Sequence, residues 1–278
     1  MRFKVGCRLT YEAKVDSGFV FNIQAAHSEN QTVLEERLVV EPDVPLETYV
    51  MPESGNRYIR FQAPKGPVSV TYDAVVEHTP ERRDPKAVEA IDLKTLPFPV
   101  LPHLYPSRFC ESDRLQRAAL SDFGDLPASH ERVTAICNWI YEQIEYVRGS
   151  SDAHTSALVT LVDRAGVCRD FAHLGIALCR SLGIPARYVS AYAWKLDPPD
   201  FHAVFEAYLG GRWYLFDGTR QAALDGLVRI GIGRDASEVA FADFVGQVEP
   251  KDMSVFCEAV EEPTDYRPTT DAISLSES

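Results

Sequence analysis

One cysteine in this 278-residue chain stands apart from the other five because it opens a helix instead of lying inside one. Cys168 follows Gly166-Val167 and precedes a helix expected over 169–182, in which Phe171, Leu174, Leu178 and Leu182 recur as an apolar stripe before Gly183 and Pro185 end it. Unpaired amides at a helix N-terminus favour a thiolate, and the nearby glycine lets a substrate backbone come close. A nucleophilic thiol also needs a base within hydrogen-bond reach and a third group to orient that base. Two apolar runs downstream, 201–209 and 212–219, are joined by Gly210-Gly211, a pair suited to the positive φ values of a two-residue hairpin turn. If 209 pairs with 212, then 204 pairs with 217 and 202 with 219. His202 and Asp217 then share one face as diagonal neighbours about 7–8 Å apart at their α-carbons. Phe201, Phe205, Tyr214 and Phe216 point the other way, toward a core. A thiol, an imidazole and a carboxylate are the set that attacks an acyl carbon, although each taken singly also has a plain structural explanation.

The neighbouring residues receive lesser roles. His173 lies five residues beyond Cys168, about 140° around the helix, so it packs or supports instead of moving the reacting proton. Asp170 braces the helix start, and Arg169 pairs with it or with a substrate carboxylate. The Cys168 amide is the natural first donor to an oxyanion, with a second to come from the stretch between Trp139 and Tyr146. Cys137 falls on the stripe Val133, Ile136, Cys137, Ile140, Ile144 and Val147, and Cys179 lies within the second helix, so both read as core. Cys168, His173, His202 and Asp217 are suitable ligand types but lack metal-site spacing, and no metal is expected. The stretch GIGRDA over 231–236 lacks the third glycine of a dinucleotide loop.

The elements that must hold these residues change character along the chain. Residues 1–80 alternate apolar and polar side chains in short runs such as VSVTYDAVVEH, the period of a small antiparallel β domain. Prolines crowd 81–108, ending in LPFPVLPHLYPSR, and make a linker. From 109 to 257 helices precede returning strands, an α+β order in which helices pack on an antiparallel sheet. The last stretch, 258–278, is acidic and sparse in apolar residues and reads as a flexible tail.

Composition narrows the field further. Apolar residues make up 45% and charged residues 25%, the balance of a globular chain. Forty-one Asp and Glu outweigh 28 Lys and Arg for a formal charge of −13, which argues against general nucleic-acid or anionic-membrane binding. The start has no apolar run of signal-peptide length, and the six cysteines are scattered without a CxxC pair. A cytoplasmic protein with reduced thiols is the expectation.

The stretches GVCRDFAHLGIALCRSLGIPARYVS, FHAVFEAYLGGRWYLFDGTR and GIGRDASEV closely resemble the bacterial branch of the transglutaminase-like cysteine enzymes. The resemblance covers about residues 130–246 and extends more loosely to the N-terminal segment, which looks like the small β domain preceding the core in that family. It implies a papain-like core and a triad in which Cys168 is nucleophile, His202 base and acid, and Asp217 the partner orienting His202. It also implies a peptide or protein substrate and no cofactor. Water resolving the thioester would make a peptidase or amidase, a primary amine would make a transglutaminase, and loss of chemistry would leave a binding module. Two positions depart from the family: Ala203-Val204 stands where Ala-Trp is common, and Asp217-Gly218-Thr219 where Asp-Pro-Thr is common.

Overall fold

The computed structural model describes the chain except residues 91, 93, 263–265, 267–268 and 276–278. Seven strands come first: β1 (Arg2–Ala13), β2 (Ser17–Phe21), β3 (Gln31–Glu41), β4 (Glu47–Val50), β5 (Arg57–Ala63), β6 (Gly66–His78) and β7 (Glu81–Arg83). Between 84 and 108 the helical elements among the described residues are short 3-10 turns, at Pro85–Ala87 and Phe98–Leu104, as prolines without amide donors dictate. Four helices follow, α1 (Ser112–Phe123), α2 (His130–Gln143), α3 (Ala157–Asp163) and α4 (Cys168–Ser181), with the two-residue strands β8 (Glu145–Tyr146) and β9 (Ala165–Gly166) flanking α3. The chain ends in β10 (Ala186–Ala193), β11 (Phe201–Leu209), β12 (Arg212–Phe216), β13 (Leu227–Gly233), β14 (Ala242–Val245), β15 (Val248–Ala259) and β16 (Ala272–Ser274).

Period-two patterning builds the first domain. Along β1 the side chains of Phe3, Val5, Cys7, Leu9, Tyr11 and Ala13 turn inward and are buried, while Arg2, Lys4 and Arg8 face out. The antiparallel sheets β15-β1-β6-β3 and β14-β2-β5-β4 close over this face, where Phe19 and Phe61 stack with ring centroids 5.1 Å apart.

The second domain is a sheet in the order β12-β11-β10-β13, all pairs antiparallel, with α1, α2 and α4 contributing to the core on one face. Every side chain of α4 from Asp170 to Arg180 is buried. Gly175 lets this helix lie against β11, since a Cβ there would come within 2.5 Å of the Phe205 ring. Helices preceding an antiparallel sheet is the α+β order expected from the sequence. Tyr192, Trp194, Val228 and Ile230 join the first domain's core, so the two domains share apolar packing.

Two expectations about the chain's end are corrected. The catalytic core was expected to run to 257, but β14 and β15 return to the first domain and pair with β2 and β1. β15 carries little apolar pattern because it is an edge strand held by backbone hydrogen bonds, with most of its side chains exposed. The flexible tail is corrected too, for the described residues of 258–278. β16 pairs with β7, and Ile273 and Leu275 are fully buried beside Val189, Val204 and Leu227. Sparse apolar residues suffice there because they dock on a sheet that already exists. The remaining residues of that expected tail, 263–265, 267–268 and 276–278, lie outside the described residues. Ile273→Ala should therefore cost about 2–5 kcal/mol, read as a clear fall in the denaturation midpoint. An unchanged midpoint would mean that β16 contributes nothing to the fold.

Candidate active site

The hairpin takes the register that the glycine pair requires. Gly210 and Gly211 have φ values of 53° and 85°, Leu209 faces Arg212, and Phe205 faces Phe216. Ala203, Phe205, Ala207, Tyr214 and Phe216 turn toward the helices, whereas Phe201 stacks on Phe241 across 5.0 Å. His202 and Asp217 meet as the register requires, with Nε2 of His202 2.8 Å from Oδ2 of Asp217.

Asp217 is fixed from its other side. Its Oδ1 accepts the backbone N–H of Thr219 at 2.8 Å and the Thr219 hydroxyl at 2.7 Å. Gly218 between them is packed, not slack, for a Cβ there would lie 3.2 Å from Ile140 Cγ2. Burial alone would raise the Asp217 pKa, but the His202 imidazole and the two Thr219 donors hold it below the ordinary carboxylate value. Burial likewise works against a charged His202, yet the Asp217 carboxylate outweighs it, and with a smaller contribution from Cys168 the His202 pKa is pushed up to about 10.

Cys168 is the first residue of α4 and is half-buried, whereas Cys7, Cys110, Cys137 and Cys179 are buried. It is near enough to His202 to help raise the imidazole pKa. Nε2 of that ring is engaged by Asp217, so Nδ1 is the ring nitrogen left for proton exchange. The structure thus brings together His202 and Asp217 by a hydrogen bond and places Cys168, at the tip of α4, in their neighbourhood. Burial pushes Cys110 up to about 12 and raises Cys137 and Cys179 well above the ordinary thiol value. Native-state alkylation should accordingly label Cys168 first and leave Cys137 and Cys179 protected. Labelling of either core thiol ahead of Cys168 would contradict the site.

The supporting residues also find places. Asp170 accepts the Val167 N–H at 2.9 Å and pairs with Arg169 across 3.1 Å, bracing the helix start. Arg169 reaches on to Ser151 Oγ at 2.7 Å, pinning the loop before α3. His173 is fully buried between Phe109 and Tyr188, and its Nε2 accepts the Ala236 N–H at 3.1 Å. Burial lowers its pKa to about 3, so it is a neutral packing residue. GIGRDA ends β13, where Asp235 accepts the Phe109 N–H at 2.9 Å and caps the following turn. Val204, at the position where tryptophan is common in the family, sits under Ile273 and Leu275 instead of at the triad.

Near these residues lie Asp200, which the sequence reading missed, and Tyr146, which closes the stretch from Trp139 to Tyr146 that it singled out. Asp200 accepts the Phe201 N–H at 2.7 Å, and burial raises its pKa close to His202 and Arg148. Tyr146 comes close to Cys168 because β8 pairs in parallel with β9 just before it, with Tyr146 opposite Gly166. A two-residue strand has too little pattern to be seen in a sequence. Among the described residues no group of three or more His, Cys, Asp or Glu side chains is arranged to hold a metal, and no helix is long and apolar enough to cross a membrane.

The transglutaminase-like superfamily profile matches residues 118–218, a span holding all three site residues, and the profile of the bacterial transglutaminase N-terminal domain matches residues 1–97. The chain is similar along almost its whole length to a Cytophaga hutchinsonii protein described as a "putative cysteine protease", with 42% identity, 99% of this chain and 97% of that one covered, and a TM-score of 0.94. The chain belongs to the transglutaminase-like superfamily. The chain is also similar to an uncharacterized protein of Mycobacterium leprae, 36% identical over 117 residues. Another, from Mycobacterium tuberculosis, is 33% identical over 115 residues. Those alignments cover 39% and 36% of this chain and span only 42% and 37% of the mycobacterial proteins.

Proposed function

We propose that this protein is a cysteine-dependent hydrolase of a peptide or other amide bond that works through a thioester. The observation that carries the reading is the 2.8 Å bond from His202 to Asp217, with Cys168 at the tip of α4 near enough to help raise the imidazole pKa. Sγ of Cys168, its proton passed to Nδ1 of His202, attacks the carbonyl carbon, and the carbonyl π pair moves onto oxygen. Collapse of that intermediate breaks the C–N bond, and the leaving amine takes a proton from Nδ1 of His202. Water then attacks the thioester, gives a proton back to His202, and the C–S bond breaks to restore the thiol pair. Asp217 holds one ring orientation and stabilises the imidazolium throughout. No cofactor or metal enters these steps.

Acyl transfer shares the first half of this sequence and differs only in the group that attacks the thioester. Hydrolysis is favoured by the full-length similarity to the Cytophaga protein and by the abundance of water, about 55 M, which an amine must overcome by placement. The substrate is a peptide or protein, and six unpaired thiols suit a reducing, cytoplasmic setting. The test incubates the protein with a glutamine-containing peptide library, with and without excess tagged primary amine, and follows products by mass. Fragments or deamidated peptides formed at the same rate without tagged adduct are expected. Tag incorporation that depends on Cys168 and outruns hydrolysis would make the protein a transglutaminase.

A further inference from the structure

We propose that Arg148 selects an acyl donor that carries a carboxylate close to the carbon attacked by Cys168. The inference deepens the hydrolase reading and rests on Cys168 as the residue that takes the acyl fragment. Backbone pairing puts Arg148 beside that residue. Glu145 and Tyr146 of β8 run parallel to Ala165 and Gly166 of β9, and the Val147 N–H donates to the Gly166 carbonyl at 3.0 Å. Val167 keeps extended backbone angles, φ −114° and ψ −179°, so the pairing step carries through to the first residue of α4. Counted from the pair Tyr146 and Gly166, Arg148 stands in step with Cys168, and residues in step on parallel chains leave the backbone on the same side.

The base of Arg148 is fixed. Residues 147–150 form a tight turn in which the Ser150 N–H and hydroxyl both donate to the Val147 carbonyl, at 3.3 and 2.8 Å, and Gly149 supplies a positive φ of 81°. Arg169, in the first turn of α4, binds the next two residues through Ser151 Oγ and the Asp152 carbonyl. The turn is thus tied to the helix tip that carries Cys168. The guanidinium, by contrast, is exposed, and among the described residues no hydrogen bond or ion pair engages it. Its neighbour Arg169 is already taken by Asp170 across 3.1 Å. Asp200, two residues before His202, is near enough to feel the Arg148 charge but bonds the Phe201 N–H at 2.7 Å and forms no ion pair with the arginine. Acids outnumber bases 41 to 28 in this chain, so an arginine without one at the nucleophile is not explained by a shortage of acids. A guanidinium stays charged at every working pH and presents a planar fork that fits a carboxylate, and a fixed base lowers the ordering needed on binding.

Two alkylating agents isolate the contact. Iodoacetate and iodoacetamide each form a C–S bond at Cys168 and expel iodide with its electron pair. One carries a carboxylate on the reacting carbon and the other a neutral amide. A change in the thiol itself alters both rates alike, so their ratio reads the carboxylate. Arg148→Gln should lower the ratio of iodoacetate to iodoacetamide rates by about 3–30-fold, and Arg148→Lys, which keeps the charge, should keep most of it. The loss should shrink as salt is raised. A ratio in R148Q within about twofold of wild type would overturn the proposal, whether both rates fall together or neither moves. Matched peptides with Glu or Gln beside the cleaved bond supply the second readout. Wild type should favour Glu in kcat/KM, and R148Q should lose that preference; no preference in wild type, or one that survives R148Q, would overturn the proposal as well. If wild type turns over no peptide, the hydrolase reading fails by itself, since the alkylation ratio still decides whether Arg148 holds a carboxylate at Cys168.

Discussion

Replacing Asp217 with Asn should leave the protein folded while lowering turnover by about 10²–10⁴-fold. The amide is nearly the same size and can still meet Thr219, but it carries no charge to balance an imidazolium and offers the ring a choice of orientations. The pH dependence carries a second signature of the same contact. His202, at an ordinary value near 6.5 when unfolded, rises to about 10 in the fold, chiefly because the Asp217 charge outweighs burial. A raised histidine contributes stability that is fully present below about pH 6.5 and is lost as pH rises through about 10. Wild-type protein should therefore become easier to denature between those limits, and D217N should show a flatter curve. The alkaline limb of kcat/KM should also move to lower pH in the variant, because burial without the carboxylate favours the neutral ring. Wild-type turnover and an unchanged pH profile in folded D217N would remove Asp217 from the mechanism.

Cys168→Ala has a larger expected effect and a simpler one. Without a sulfur there is no thioester, so hydrolysis and acyl transfer should vanish together, a loss on the order of 10⁶-fold of the kind seen when a triad nucleophile is removed. Stability should hardly change, because Cys168 is half-buried at the first turn of α4 and the apolar face of that helix starts beyond it. The contrast with Cys179 is useful. That thiol is fully buried in the core cluster, and Cys179→Ser would strand a hydroxyl there, lowering the denaturation midpoint with little direct effect on chemistry. Amide hydrolysis that survives in folded C168A would place the nucleophile elsewhere.

Much of the site could be read before the fold was known because its spacing is local. Gly210-Gly211 sets the hairpin, the hairpin sets the register, and the register brings Asp217 to His202 across fifteen positions of sequence. Cys168 was legible as a helix-opening residue because the apolar stripe begins after it. What escaped was decided by distant pairing. Tyr146 bounded the stretch singled out in the sequence, but the pairing of Glu145–Tyr146 with Ala165–Gly166, two residues against two, did not show, because four residues carry no periodicity. β15 is nearly all polar on its surface yet completes the first sheet, since edge pairing uses backbone groups that every residue has. Ile273 and Leu275 were too few to suggest a core, and they build none. They cover Val204 and Leu227 on a sheet assembled from residues tens of positions earlier.

The central claim is that Cys168 carries the acyl group between the two halves of the reaction. Turnover with an active peptide, quenched in acid and followed by intact mass and peptide mapping, tests it most directly. The protein should gain the mass of the acyl fragment on the peptide containing Cys168, lose it on treatment with hydroxylamine, and show neither adduct nor product as C168A. Product formed at full rate with no adduct on Cys168, and still formed by C168A, would contradict the account.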